Sequence, residues 1–136
     1  MRILAVDYGD ARTGLAVSDP SGLICADAWT MEEWNFERCA ERICKAAAER
    51  CVGRIVLGLP KNMDGSEGPR AEKSHGLKAL LEEKSGLEVI LWDERLSTVQ
   101  AHAILHSVGK KEKKHKRNVD AVAAELILES YLGSLR

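Results

Sequence analysis

An α/β fold, a five-stranded mixed sheet carrying helices on both faces, is predicted by three observations. Five runs of strand length occur at residues 2–6, 14–18, 22–31, 54–57 and 87–92. The longer segments between and after them repeat apolar residues at helical spacing. The resulting order, β-β-β-α-β-α-β-α-α, puts three consecutive strands ahead of alternating βα units, which gives an antiparallel meander continued by parallel crossovers.

Within the first strand, 2–6, Ile3-Leu4-Ala5-Val6 is continuously apolar, as expected of a central strand covered on both faces. Asp7-Tyr8-Gly9-Asp10-Ala11-Arg12-Thr13-Gly14 reads as a tight turn whose glycines let the backbone fold back or approach a ligand. The second and third strands follow. From Asn35 to Cys51, Phe36, Ala40, Ile43, Ala47 and Cys51 recur at helical spacing. Arg54-Ile55-Val56-Leu57 is the fourth strand, and a turn-rich loop runs from Gly58 to Gly68. Pro69, a favoured first-turn residue, starts a helix that Gly86 ends. After the strand at 87–92, Ser97 or Thr98 is expected to cap a helix carrying Ala101, Ile104, Leu105 and Val108. An alanine-rich helix beginning at Asp120 closes the order.

The 136 residues are read as one domain, 1–136, able to bury a core without disulfides. Formal net charge is only -1, which does not mark a global polyanion binder. The distribution is uneven, however. Lys110, Lys111, Lys113, Lys114, Lys116 and Arg117 with Glu112 give +5 over residues 110–117, leaving -6 elsewhere. Cys25, Cys39, Cys44 and Cys51 form no C-x-x-C pair and read as reduced core residues. With no signal peptide and no membrane span, the expected location is the cytoplasm.

Three acids stand out because of where they lie. Asp7 follows the first strand, Glu94 follows the last, and Asp120 opens the final helix on the face of Ala123, Ala124 and Ile127, which should pack on the sheet. Carboxylates at the ends of core strands are costly to desolvate unless a cation shares the space. A hard ion such as Mg2+ takes oxygen ligands and keeps waters for chemistry, so the pattern suggests a divalent-metal nuclease site. Each acid alone has a plainer reading, as a turn former or a helix-start residue. In Asp93-Glu94-Arg95 the two acids face opposite ways, only one can point at Asp7, and Arg95 is free to pair with the other.

The basic tract lies within ten residues of Asp120, where a nuclease needs cations to offset its acids against a polyanion. Read alone, it is a solvated loop. The loop 58–68 leaves the carboxyl end of a strand, where open α/β sheets place their sites. His102 and His106 are spaced for chelation, but no third ligand accompanies them and they read as solvent-facing. Trp29, Trp34 and Trp92 read as core or edge packing rather than base-stacking platforms.

Four motifs in order carry a family resemblance: Ala5-Val6-Asp7-Tyr8-Gly9 with Arg12, Gly14 and Ser18-Asp19; Gly58-Leu59-Pro60 with Asn62-Met63-Asp64-Gly65; Asp93-Glu94-Arg95-Leu96-Ser97-Thr98; and Asp120-Ala121-Val122-Ala123-Ala124 through Ile127-Leu128-Glu129. Together they resemble the YqgF family, also called RuvX, small bacterial proteins with an RNase H-like fold. Only the stretch from Ile24 to Arg54 is less typical. The resemblance implies a nuclease dependent on Mg2+ or Mn2+, with two ions held by Asp7, Glu94 and Asp120 as catalytic triad and metal ligands. Its substrate would be precursor 16S ribosomal RNA, cut at the 5' end, or branched DNA at a Holliday junction. Expected nucleic-acid contacts are Arg12, Lys61, Asn62, Arg95 and the six cations of the basic tract, in a monomer or homodimer. Two other classes compete: a non-catalytic RNA-binding factor of ribosome assembly or transcription, and an actin-like or sugar-kinase-like phosphate-binding domain. The latter ATPases need two such domains.

Overall fold

In the computed structural model, residues 1–97 and 119–136 are described. The predicted five-stranded mixed sheet is present, in the order β3-β2-β1-β4-β5. Its strands are β1 (Arg2–Asp7), β2 (Arg12–Ser18), β3 (Cys25–Glu32), β4 (Val52–Leu59) and β5 (Glu88–Asp93). β1 pairs antiparallel with β2 and β2 with β3, whereas β4 lies parallel to both β1 and β5. The helices are α1 (Phe36–Glu49), α2 (Pro69–Ser85) and the C-terminal α3 (Val119–Ser134).

Strand periodicity divides the core in two. Leu4 and Val6 of β1 point to one face, where Leu15, Ile55 and Leu57 meet Ile43 of α1 and Leu77 and Leu81 of α2. Ile3 and Ala5 point to the other, where Ala16 and Val56 meet Ala124, Ile127 and Leu128 of α3. The central strands β1 and β4 are therefore apolar through their middles, at 3–6 and 55–57, because both faces are covered there. By the same alternation Asp7 falls on the α3 side. That places the carboxylate under the helix that carries Asp120.

α1 starts where the sequence predicts: Asn35 accepts a hydrogen bond from the Arg38 amide at 2.8 Å. α2 has Pro69 in its first turn and ends at Gly86, whose left-handed φ of 71° a side chain would disfavour. The carboxyl ends of β1 and β5 each run one residue beyond expectation: Asp7, read as the start of a turn, is a strand residue, and Asp93 extends the strand expected to end at 92. A helical turn then begins at 94–97, so Ser97 lies inside it and its hydroxyl donates back to the Glu94 carbonyl at 2.8 Å. Ser97 is thus no N-cap. Asp93 takes that role, accepting from the Arg95 amide at 2.9 Å. The helix predicted after it, with Ala101 to Val108 and His102 and His106, and the tract 110–117 lie outside the described residues.

The cysteine reading needs correction. All four are free, but only Cys39 is buried; Cys25 and Cys44 are half-buried and Cys51 is exposed, in a left-handed turn (φ 54°) between α1 and β4. A thiol leaving the end of α1 has no core to enter. The tryptophans divide too. Trp92 packs edge-on against Tyr131 at 5.4 Å and donates to Ser130 at 3.0 Å, and Trp29 lies under Arg50 at 4.0 Å. Trp34 is 74% exposed. No helix among the described residues is long and apolar enough to cross a membrane.

α3 is seated on the sheet by small residues. A Cβ at Gly14 of β2 would run into the Asp120 carbonyl and the Ala121 amide, so helix backbone rests directly on strand backbone there. Replacing Gly14 by Ala should lower unfolding free energy by about 1–3 kcal/mol, the usual penalty of overpacking, because the contact is with backbone that no rotamer change can move. Urea denaturation of the variant measures it. An unchanged midpoint would show that α3 is not clamped at this point.

Candidate active site

The site grows from the carboxyl ends of β1 and β5, which are not neighbours. β4 lies between them. Asp7 and Glu94 meet because the intervening position on the α3 side of β4 is Gly58, where a Cβ would stand 2.6 Å from Glu94 Oε1 and 2.8 Å from Ile127 Cδ1. The missing side chain is the space that the Glu94 carboxyl occupies. Asp7 in turn pairs in register with Gly14, the strand position on which Asp120 sits. Two glycines flanking β1 thereby bring three acids from β1, the turn after β5 and α3 toward one point.

Electrostatics register the convergence. The Asp7 carboxyl is pushed up to about 8, first by burial, then by the charge of Glu94 and a hydrogen bond to it, then by the charge of Asp120. A proton on Asp7, hydrogen-bonded to Glu94, is thereby favoured. The Arg70 guanidinium opposes the rise only weakly. A cleft of about 210 Å³ runs beside these groups, lined by Asp7, Arg70, Glu94 and Ser97 and by Ala123, Leu126 and Ile127 of α3.

The remaining sequence candidates are placed as follows. Asp93, the acid facing away, forms a forked ion pair with Arg95, with Nη2–Oδ2 at 2.7 Å and Nε within 3.1 Å of both oxygens. Arg95 holds its carboxyl below the usual range, helped by the charge of Lys61. Arg95 thus braces the turn that aims Glu94 and does not point freely at solvent. Asn62 is likewise engaged, its amide donating to Ser66 Oγ at 2.9 Å within the 58–68 loop. Arg12 is exposed at the start of β2. Lys61 lies near Asp93, and the cations Lys110 to Arg117 fall outside the described residues.

Two contributors escaped the sequence reading. Gly58 left a trace, since glycine inside a strand often marks the close approach of another group. Arg70 left another: a cation in the first turn of a helix is disfavoured by the helix dipole, a sign that it is placed for a different reason.

Whether a divalent metal suits this site can be judged from its donors. Three carboxyls supply hard oxygens, and their mutual repulsion is the load that a cation would relieve. As the chain stands, no group of three His, Cys, Asp or Glu side chains among the described residues is disposed to hold a metal. The donor chemistry, three carboxyls whose charges already act on one another, fits a hard cation.

With the geometry in place, comparison with known proteins is informative. The family model RuvX, described as Holliday junction resolvase, matches residues 1–134. A protein of Acetivibrio thermocellus is 43% identical over 137 residues, 98% of this chain and 96% of its own length, and bears the name "Putative pre-16S rRNA nuclease". One from Geobacillus sp. (strain WCH70), with the same name, is 43% identical over 136 residues, covering 98% of this chain and 99% of its own. Among solved structures, T. thermophilus RuvC in complex with Holliday junction substrate superposes with a TM-score of 0.62 at 12% identity, over 98% of this chain and 96% of that one. That likeness is one of fold, the RNase H-like sheet.

The repulsion at Asp7 makes a prediction for the metal-free protein. An acid whose folded-state value is raised binds its proton more tightly folded than unfolded, so its contribution to stability is full below about pH 4 and is lost as pH rises toward 8. Asp7→Asn removes that loss while keeping a donor toward Glu94. Its stability gain over wild type should grow between pH 4 and 8 by up to roughly 1.4 kcal/mol per pH unit. Urea titrations in EDTA at pH 5 and pH 8 check this, and a gain independent of pH would contradict it.

Proposed function

The chain belongs to the RuvX family, and from that membership and the site just described we propose that it is a metal-dependent nuclease hydrolysing phosphodiester bonds, acting at the 5' end of precursor 16S ribosomal RNA. The observation that carries the proposal is the meeting of Asp7 and Glu94 across Gly58, with Asp120 adding its charge from α3. Evolution of a stable fold alone gives no reason to force like charges together. A site built to receive a divalent cation does. The precursor RNA is favoured over a DNA junction by the relatives above 40% identity, which carry the rRNA nuclease name over nearly their whole length.

Asp7, Glu94 and Asp120 would hold Mg2+ or Mn2+, which when bound supplies an activated water and charge stabilisation for the leaving oxygen. The chain's own groups have separate tasks. Asp93 and Arg95 fix the turn that carries Glu94, and Arg70 offsets part of the acid charge at the mouth of the cleft. The basic tract 110–117, joined in sequence to α3, would grip phosphates on either side of the cut.

Purified wild type is expected to cleave a precursor 16S RNA with Mg2+ and to stop in EDTA. Asp7→Asn, Glu94→Gln and Asp120→Asn should each fall by on the order of a hundredfold or more while remaining folded. Undiminished cleavage by well-folded Asp7→Asn, free of contaminating nuclease, would sink the assignment. Matched DNA junction and RNA substrates separate the two substrate readings.

The tract is tested by replacing Lys113, Lys114, Lys116 and Arg117 with Ser. If these residues grip phosphates, the slope of log affinity against log salt should drop by roughly 0.7 to 0.9 per lost contact, equally for different sequences. Parallel slopes for wild type and variant would leave the tract a solvated loop.

A further inference from the structure

Beside the acids lies a second cleft, of about 260 Å³, lined by Tyr8, Asp10, Pro60, Pro69, Arg70 and Lys73 among others. Arg70 lines both clefts, and its charge acts on Asp7 in one and on Asp10 in the other. Arg70 and Lys73 are three residues apart on α2 and share one face of it. Lys73 Nζ donates to Asp10 Oδ1 at 2.6 Å, and the Tyr8 hydroxyl is near enough to Asp10 for the two to influence each other. The Tyr8 ring is held edge-on by Phe36, centroids 5.7 Å apart. Its orientation is fixed without any ligand.

We propose that this cleft is a nucleotide subsite, taking the unit of a single-stranded nucleic acid that neighbours the one at the acids. Arg70 and Lys73 receive its phosphate, and Tyr8, backed by Phe36 and flanked by Pro60 and Pro69, packs against its base or sugar. The inference rests on the nuclease reading of the acid site for its orientation along the chain. Size supports the assignment. A cavity of about 260 Å³ falls just below the roughly 300 Å³ at which pockets begin to enclose whole small ligands, so it suits one unit of a longer chain. Chemistry supports it as well, since paired cations beside an oriented aromatic ring serve phosphate and base together. Contact with a base face requires that base to be unpaired, which selects single strands over duplex.

Asp10 gives the subsite a resting partner. It occupies Lys73 in the free protein, and an incoming phosphate has to displace it. The ion pair is exposed, so displacement is cheap and affinity is reduced only a few-fold.

The test is titration of the 15N-labelled full chain in EDTA with uridine 5'-monophosphate, followed by amide NMR. Saturable shifts are expected at Tyr8, Gly9, Arg70, Lys73 and Ser74, with a dissociation constant on the order of millimolar. Lys73→Gln should abolish them, Lys73→Arg should retain them, and Asp10→Asn should strengthen binding a few-fold. The spectra of the variants themselves report whether they are folded. Absence of saturable shifts up to on the order of 10 mM, or shifts unchanged by Lys73→Gln, overturns the proposal. So does a response that inorganic phosphate reproduces in full, including at Tyr8. Because no cleavage is involved, an inactive protein that still binds the nucleotide here would refute only the nuclease reading. An active one that does not bind it would refute only this subsite.

Discussion

Like charges held in one cleft set the terms for the rest of this structure. Asp7 and Glu94 stand on elements separated by β4, and bringing their carboxyls together costs desolvation and repulsion that no described cation fully offsets. The chain sustains that cost through rigid parts around it. β1 is buried on both faces, α3 lies backbone to backbone on Gly14, and the forked Asp93–Arg95 pair anchors the turn that aims Glu94. Stability is spent where chemistry needs charge, a pattern typical of sites whose polar groups are preorganised by a packed scaffold.

Arg70 links the two halves of the surface. Toward the acids it moderates the rise at Asp7; toward the second cleft it stands beside Lys73 on the same helical face. A polyanion approaching three carboxyls is repelled unless cations flank the point of attack. α2 supplies such cations through Arg70 and Lys73. Asp10, by pairing with Lys73, keeps that side of the field modest until a stronger anion arrives.

Much of this was legible in the chain. The central strands showed as apolar runs because burial on both faces leaves little room for polar side chains, α1 showed through its periodicity, and α2 through its Pro69 and Gly86 boundaries. Boundaries next to the site were the weak point. Asp7 looked like a turn residue because acids favour turns, yet ladder pairing extends β1 through it, as it extends β5 through Asp93. Ser97 looked like a cap for the same local reason, and Asp93, held by Arg95, took that position instead. Cys51 matched the helical stripe in spacing but fell past the end of α1, where the periodicity has no core left to face.

By itself the sequence determined the sheet, its two-sided core, the family and the three acids as candidates, because each of these is written in local pattern or in motifs at fixed spacing. Only the tertiary structure decided which of Asp93 and Glu94 faces Asp7, since that choice depends on strand alternation across β5 and on the room left by Gly58 on β4, the strand between the two acids. The same holds for Arg70, Lys73 and Tyr8. They lie up to 65 residues apart in the chain, and nothing in either segment alone encodes the cleft they form. Contacts of that kind arise from how layers pack, which a linear pattern constrains without specifying.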